Sequence, residues 1–96
     1  MGLSEGTAVV EQDFVVSNKL GIHARVAAQI VKVASQYESD VWILKDGNKV
    51  NGKSILDLMT LMCPKGSKIR IAASGKDAED VMDALSALFR TKFGES

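Results

Sequence analysis

Histidine and cysteine each occur once in these 96 residues, and aromatic side chains make up 5%. Each scarcity removes a class of function. A single cysteine, Cys63, permits no intramolecular disulfide and no thiolate metal cluster. A reducing cytoplasm suits such a chain. No activating group is evident beside Cys63, so it does not read as a nucleophile. One histidine without a nucleophile–base–acid set cannot be assembled into a hydrolytic site. Excess charge is also missing: 12 Lys and Arg balance 12 Asp and Glu. That balance, with so few aromatics, argues against nucleic acid as a partner. No apolar run approaches the length of a spanning helix, and no signal-peptide pattern opens the chain. Gly2 lacks the Ser or Thr at position six that myristoylation would need. Internal repeats, low-complexity stretches and domain linkers are missing too. What remains is ordinary globular composition, 46% hydrophobic and 25% charged, of a length that buries a modest core.

The single histidine stands in Gly21-Ile22-His23-Ala24-Arg25, directly before an Ala-rich amphipathic run, Val26 to Tyr37. This spacing puts an imidazole at a helix start. There the first backbone N–H groups have no partner and the dipole favours negative charge and disfavours a cationic ring. Such a place suits an anion, and with an imidazole in it the anion can be one carried covalently on a ring nitrogen. Gly21 allows a tight strand-to-helix turn. Arg25 can fork two hydrogen bonds onto a phosphate. The same residues are open to a plainer reading, a surface or capping histidine followed by a solvated arginine.

Along the chain, residues 1–8 form a polar lead-in without periodicity, and residues 9–96 a single domain. Val9 to Val16 reads as a strand with Phe14 and Val16 on one face and Asp13 and Val15 on the other. Ala27, Ile30, Val31 and Ala34 make the buried stripe of a first helix, leaving Gln29, Lys32 and Gln36 solvated. Val41 to Leu44 and Lys49 to Asn51 flank the turn Asp46-Gly47-Asn48 and form a hairpin. A short second helix starts at Ser54, which has Asp57 at capping-box spacing. Leu58 and Leu61 face inward; Ile55, Leu56 and Met59 cannot all share that face and leave apolar surface exposed. Lys68 to Ala73 alternates as a last strand. Asp77 is a plausible N-cap for a final helix whose stripe is Ala78, Val81, Met82, Leu85, Leu88 and Phe89. Hairpins and short loops favour an α+β fold, an antiparallel sheet with helices layered on one face. Trp42 and Leu44 then fall on the open face, where a cross-strand pair or a dimer patch is available to them.

Gly21-Ile22-His23-Ala24-Arg25, Asn51-Gly52-Lys53-Ser54-Ile55 and Ala73-Ser74-Gly75-Lys76-Asp77-Ala78 resemble corresponding segments of HPr, the histidine-containing phosphocarrier family of the phosphoenolpyruvate-dependent sugar phosphotransferase system. The likeness runs from Phe14 to Leu88. It implies an open-faced β-sandwich, four antiparallel strands with three helices on one face. It implies a cytoplasmic, monomeric, stoichiometric carrier and not an enzyme, with no cofactor and no metal. His23 would take a phosphoryl group on Nδ1 from phosphorylated enzyme I and hand it to an enzyme IIA domain. Arg25 and the amides of Ala24, Arg25 and Val26 would meet the phosphoryl oxygens. Ile55, Leu56 and Met59 would dock partners and exclude water. Ser54, an N-cap by spacing, matches a serine phosphorylated by HPr kinase/phosphorylase, through which a regulatory protein could be addressed. A related possibility is a nitrogen-type relay or a Ser54-phosphorylated signalling module outside sugar uptake. Two positions depart from the family. Val26 stands where proline is usual, restoring an N–H but losing rigidity. Asp57 brings negative charge near the docking surface.

Overall fold

Side-chain periodicity switches between two and 3.6 along the chain, and the backbone follows it. The computed structural model describes residues 9–96. The order is β1 (Val9–Val15), α1 (Ala24–Ala34), β2 (Asp40–Lys45), β3 (Asn48–Asn51), α2 (Ile55–Thr60), β4 (Lys68–Ser74) and α3 (Ala78–Arg90). The expected lead-in, residues 1–8, lies outside the described residues. All strands are antiparallel in one sheet, ordered β1-β4-β2-β3. With three helices and an open sheet this is the expected α+β architecture.

Alternation decides which residues the helices cover. Phe14 pairs with Ile69 across β1 and β4, and Ile43 with Ile71 across β2 and β4; all are buried. Over them lie Val26, Ala27, Ile30 and Ala34 of α1 and Val81, Met82 and Leu85 of α3. Trp42 and Leu44 fall on the open face as expected. There Lys49 places its ammonium 4.6 Å from the centre of the Trp42 ring, so a cation–π contact covers part of that apolar surface.

Three details differ from the sequence reading. The α1 stripe is rotated: Val26 is fully buried, Val31 only partly. Gln29 is half-buried, and its amide donates to the Phe93 carbonyl at 3.2 Å. Asp77 is the N-cap of α3 but makes no side-chain cap bond. Its carboxylate instead accepts from the Glu38 and Ser39 backbone N–H groups, each at 2.9 Å, and from the Ser39 hydroxyl. Gly75 makes this possible. At φ +145° it lets β4 end against Ser39, and a Cβ there would sit 2.8 Å from the Ser39 Cα. Finally, α3 is followed by a left-handed turn, Lys92–Gly94, with φ of 54°, 57° and 76°.

The Ser39 hydroxyl, first, and the backbone N–H groups hold the Asp77 carboxyl down at about 2. Its folded value thus lies below the unfolded one. The resulting stability is complete above about pH 4 and disappears as pH falls toward 2. Asp77→Asn is expected to lower Tm at neutral pH and to flatten the acid limb of Tm against pH over that window. Calorimetry checks this; an acid limb as steep as the wild type's would contradict it.

Candidate functional site

His23 is held by the loop before it, and that loop by a glycine. Gly21 has φ +72°, and a Cβ on it would lie 2.8 Å from the Pro64 Cα. This close approach lets Ile22 donate its N–H to the Cys63 carbonyl at 2.9 Å. The segment leading into α1 is therefore pinned to the loop that follows α2. His23 is the N-cap of α1 in extended conformation, and its side chain makes no cap bond. The first intrahelical bond runs from the Ala27 N–H to the His23 carbonyl at 2.8 Å. Ahead of it, the amides of Ala24, Arg25 and Val26 have no intrahelical acceptor. Val26 contributes only its backbone here, because its side chain is in the core.

The imidazole faces a carboxylate that sequence reasoning missed. His23 Nε2 lies 3.0 and 3.1 Å from the two carboxylate oxygens of Glu95. Arg25 donates to Glu95 Oε2 at 2.9 Å, and Asn18 Nδ2 donates to Glu95 Oε1 at 2.9 Å. Asn18 is fully buried, and its Nδ2 also donates to the Gly21 carbonyl at 2.8 Å. The Asn18 bond first, then those from His23 and Arg25, hold the Glu95 carboxyl down at about 2. An ionised carboxylate only accepts hydrogen bonds, so in the neutral ring the proton sits on Nε2 and Nδ1 keeps the free lone pair. The turn Lys92–Gly94 delivers Glu95: Phe93 is buried with its ring 4.8 Å from that of Phe89, edge-on. No periodicity marks such a turn. The one available signal was Phe-Gly-Glu directly beyond the α3 stripe.

Beside the ring an open cleft of about 460 Å³ is bordered by Leu20, Ile22, His23, Met59, Met62 and Cys63 among others. Leu20 and Met62, which the sequence reading did not single out, are 68% and 73% exposed, and Leu56 is 79% exposed. Ile55 and Met59 are exposed as expected, while Leu58 and Leu61 are buried. Cys63 comes to this cleft although distant from His23 in sequence. Its thiol is buried, and burial pushes its pKa up, so it supplies no thiolate. Ser54 caps α2 by accepting from the Asp57 N–H at 3.2 Å. The reciprocal half of the box is absent: the Asp57 carboxylate accepts from the Asn51 N–H at 3.1 Å instead. Lys45 reaches under this helix and donates to the Leu61 and Met62 carbonyls at 3.2 and 2.6 Å, satisfying its C-terminus.

Two outcomes are expected of this geometry. Gly21→Ala forces a left-handed alanine against Pro64 and is expected to cost about 1–3 kcal/mol, read by urea denaturation, with the His23 ring resonances shifted. A variant as stable as the wild type would show that the close approach is not required. In a carboxyl-carbon NMR titration Glu95 is expected to titrate near 2, and nearer its ordinary 4.5 in Asn18→Ala than in Arg25→Ala.

Residues 10–91 match the family model described as the PTS HPr component phosphorylation site. The phosphocarrier protein HPr of Neisseria meningitidis serogroup A is 41% identical over 87 residues, covering 91% of this chain and 98% of that protein. The crystal structure of HPr-C-His from Thermoanaerobacter tengcongensis superposes with a TM-score of 0.88 at 41% identity, covering 91% and 98% of the two chains. A further crystal structure from that organism is an HPr dimer, 44% identical with a TM-score of 0.73 and covering 83% and 92%. Family membership therefore does not dictate the monomer expected above. Among the described residues no helix is long and apolar enough to cross a membrane. By the match over most of its length and by its architecture, this chain belongs to the HPr family of phosphocarrier proteins of the phosphotransferase system.

Proposed function

We propose that the protein relays a phosphoryl group on His23, receiving it from phosphorylated enzyme I and giving it to an enzyme IIA domain in the cytoplasm. The observation that carries this reading is the environment of the ring. Its Nε2 side is occupied by a carboxylate, while Nδ1 keeps a lone pair at the unpartnered start of α1. The Nδ1 lone pair attacks phosphorus, and the donor's bond to phosphorus breaks with its electron pair remaining on the donor. The proton on Nε2 stays where it is. The group that arrives is anionic, and the amides of Ala24, Arg25 and Val26 and the Arg25 guanidinium face it with positive charge. Such transfer needs positioning and electrostatics and little else from the protein. The chain takes up one group from one partner and surrenders it to another, as a stoichiometric acceptor and donor, so it is a carrier and not a catalyst.

Docking falls to the apolar rim. Met59 borders the cleft that Leu20 and Met62 extend to the ring, and Ile55 and Leu56 are exposed on the same helix. Covering that rim removes water while the group is between two proteins. Ser54 stands at the head of the same helix. Phosphorylation by a kinase of the HPr kinase/phosphorylase type would add about two negative charges there, next to a position where Asp57 already carries one. The regulatory reading of Ser54 rests on that placement: charge added to the rim opposes docking of enzyme I.

The test is phosphorylation of the purified protein with phosphoenolpyruvate and its organism's enzyme I. Intact mass should rise by one phosphate that is labile to acid, and His23→Ala should take none. An unmodified wild type beside a demonstrably active enzyme I would overturn the proposal. Ser54→Asp is expected to lower kcat/KM for enzyme I roughly tenfold, corresponding to about 1.4 kcal/mol, with the fold intact by circular dichroism. An unchanged value would remove Ser54 from the regulatory role.

A further inference from the structure

We propose that Met59 and Met62 form an oxidation switch: a peroxide converts their thioethers to sulfoxides, and the sulfoxides hinder docking beside His23 until a methionine sulfoxide reductase restores them. The inference rests on the carrier reading and adds a regulation of its docking surface.

Sulfur is divided between core and surface. Among the described residues it occurs in Met59, Met62, Cys63 and Met82. Met82 and Cys63 are buried, whereas Met59 is 38% and Met62 73% exposed. A thiol reacts as its thiolate, and burial pushes the Cys63 pKa up. An oxidant arriving from solvent therefore meets the two thioethers first. Both border the cleft that His23 also borders.

The backbone holds Met62 there under strain. Its φ is 55°, in the left-handed region, where a residue other than glycine is uncommon. Lys45 fixes the residue by donating to its carbonyl at 2.6 Å. The thioether is thus carried outward on a tethered backbone and is not the loose tip of a loop. Glycine would relieve the strain and remove the thioether.

The chemistry needs only the oxidant. A sulfur lone pair attacks one oxygen of hydrogen peroxide. The S–O bond forms as the O–O bond breaks, and the departing hydroxide takes the proton left on the transferred oxygen and becomes water. Sulfur loses two electrons and the peroxide gains them. The sulfoxide turns a flexible apolar side chain into a polar one. Its oxygen accepts hydrogen bonds from water. A partner covering the rim strips that water away, and an apolar contact supplies no donor in its place. Docking weakens while His23 and the start of α1 keep their covalent structure. Reduction reverses the change: the oxygen leaves as water and two thiols of the reductase close to a disulfide.

The experiment treats the purified protein with graded hydrogen peroxide, which is then removed. Peptide mass mapping locates each added oxygen, and Met62 and Met59 are expected to gain one before Met82 or Cys63. Phosphoryl transfer from phosphorylated enzyme I is timed on the chain oxidised at both positions. Its kcat/KM is expected to fall about tenfold, with circular dichroism unchanged, and to recover on incubation with methionine sulfoxide reductases for both sulfoxide epimers and a thiol reductant. The double variant Met59→Leu with Met62→Leu keeps Met1 and Met82. Whatever its own starting rate, peroxide is expected to leave that rate where it began. Oxidised wild type that transfers as fast as the untreated chain overturns this inference and leaves the carrier reading in place. So does oxidation that reaches Met82 or Cys63 first, a loss that the reductases do not reverse, or a loss that persists in the double variant. An untreated wild type that accepts no phosphoryl group from an active enzyme I overturns the carrier reading and this inference with it.

Discussion

The bond from the Ile22 N–H to the Cys63 carbonyl, made across a glycine that has no room for a Cβ, is the constraint on which the rest of the site depends. It joins two loops that lie far apart in sequence. One leads into α1 and carries His23. The other follows α2 and carries the exposed Met62. With them joined, the His23 ring and the apolar rim cannot move independently. A backbone bond of this kind is modest in net energy, about 0.5–1.5 kcal/mol. Its importance is geometric. In the proposed relay, partner docking on α2 would be registered against the imidazole because one hydrogen bond fixes the spacing, and near-attack positioning tolerates little error.

Local chemistry was legible in the sequence wherever a short stretch decides its own conformation. The alternation of β1 and β4, the Asp46-Gly47 turn and the Ser54 cap all follow from neighbours within a few residues. The exposed trio Ile55, Leu56 and Met59 was legible for the same reason: a six-residue helix cannot turn its four apolar side chains and that of its C-cap Leu61 to one side. What escaped was long-range pairing of polar groups. Asn18 and Glu95 are 77 residues apart, and nothing periodic connects them. Asp77 is the N-cap residue of α3 as expected, but its carboxylate makes no cap bond and finds three donors on the α1–β2 connection instead. The candidate histidine was picked out by composition and motif, whereas the groups that surround it came only from the fold.

Charge is arranged locally although it cancels overall. Around His23 one buried amide, one guanidinium and one helix start all present positive character, and a single carboxylate answers them. With Asp77 the answer is the same in kind: a carboxylate satisfied by N–H and O–H donors and held far below the usual range. The two differ in what a change of state does to them. Among the described residues nothing competes for the donors around Asp77, so that cluster serves as a fixed clasp between the head of α3 and the α1–β2 connection. The donors around Glu95 are the groups that an anion on His23 would also require.

The turn that delivers Glu95 carries its own cost. Lys92 and Phe93 both take the left-handed conformation, which costs a non-glycine residue of the order of 1–3 kcal/mol. Burial of one phenylalanine contributes about 1.5–3 kcal/mol, and Phe93 is buried against Phe89, which itself stacks on Phe14 at 4.5 Å. Over two residues the strain comes to about 2–6 kcal/mol, so the burial of Phe93 offsets only part of it. The bonds from Gln29 and Lys19 and the seating of the Glu95 carboxylate supply the remaining preference for the closed turn. A segment balanced in this way responds to small changes at its end.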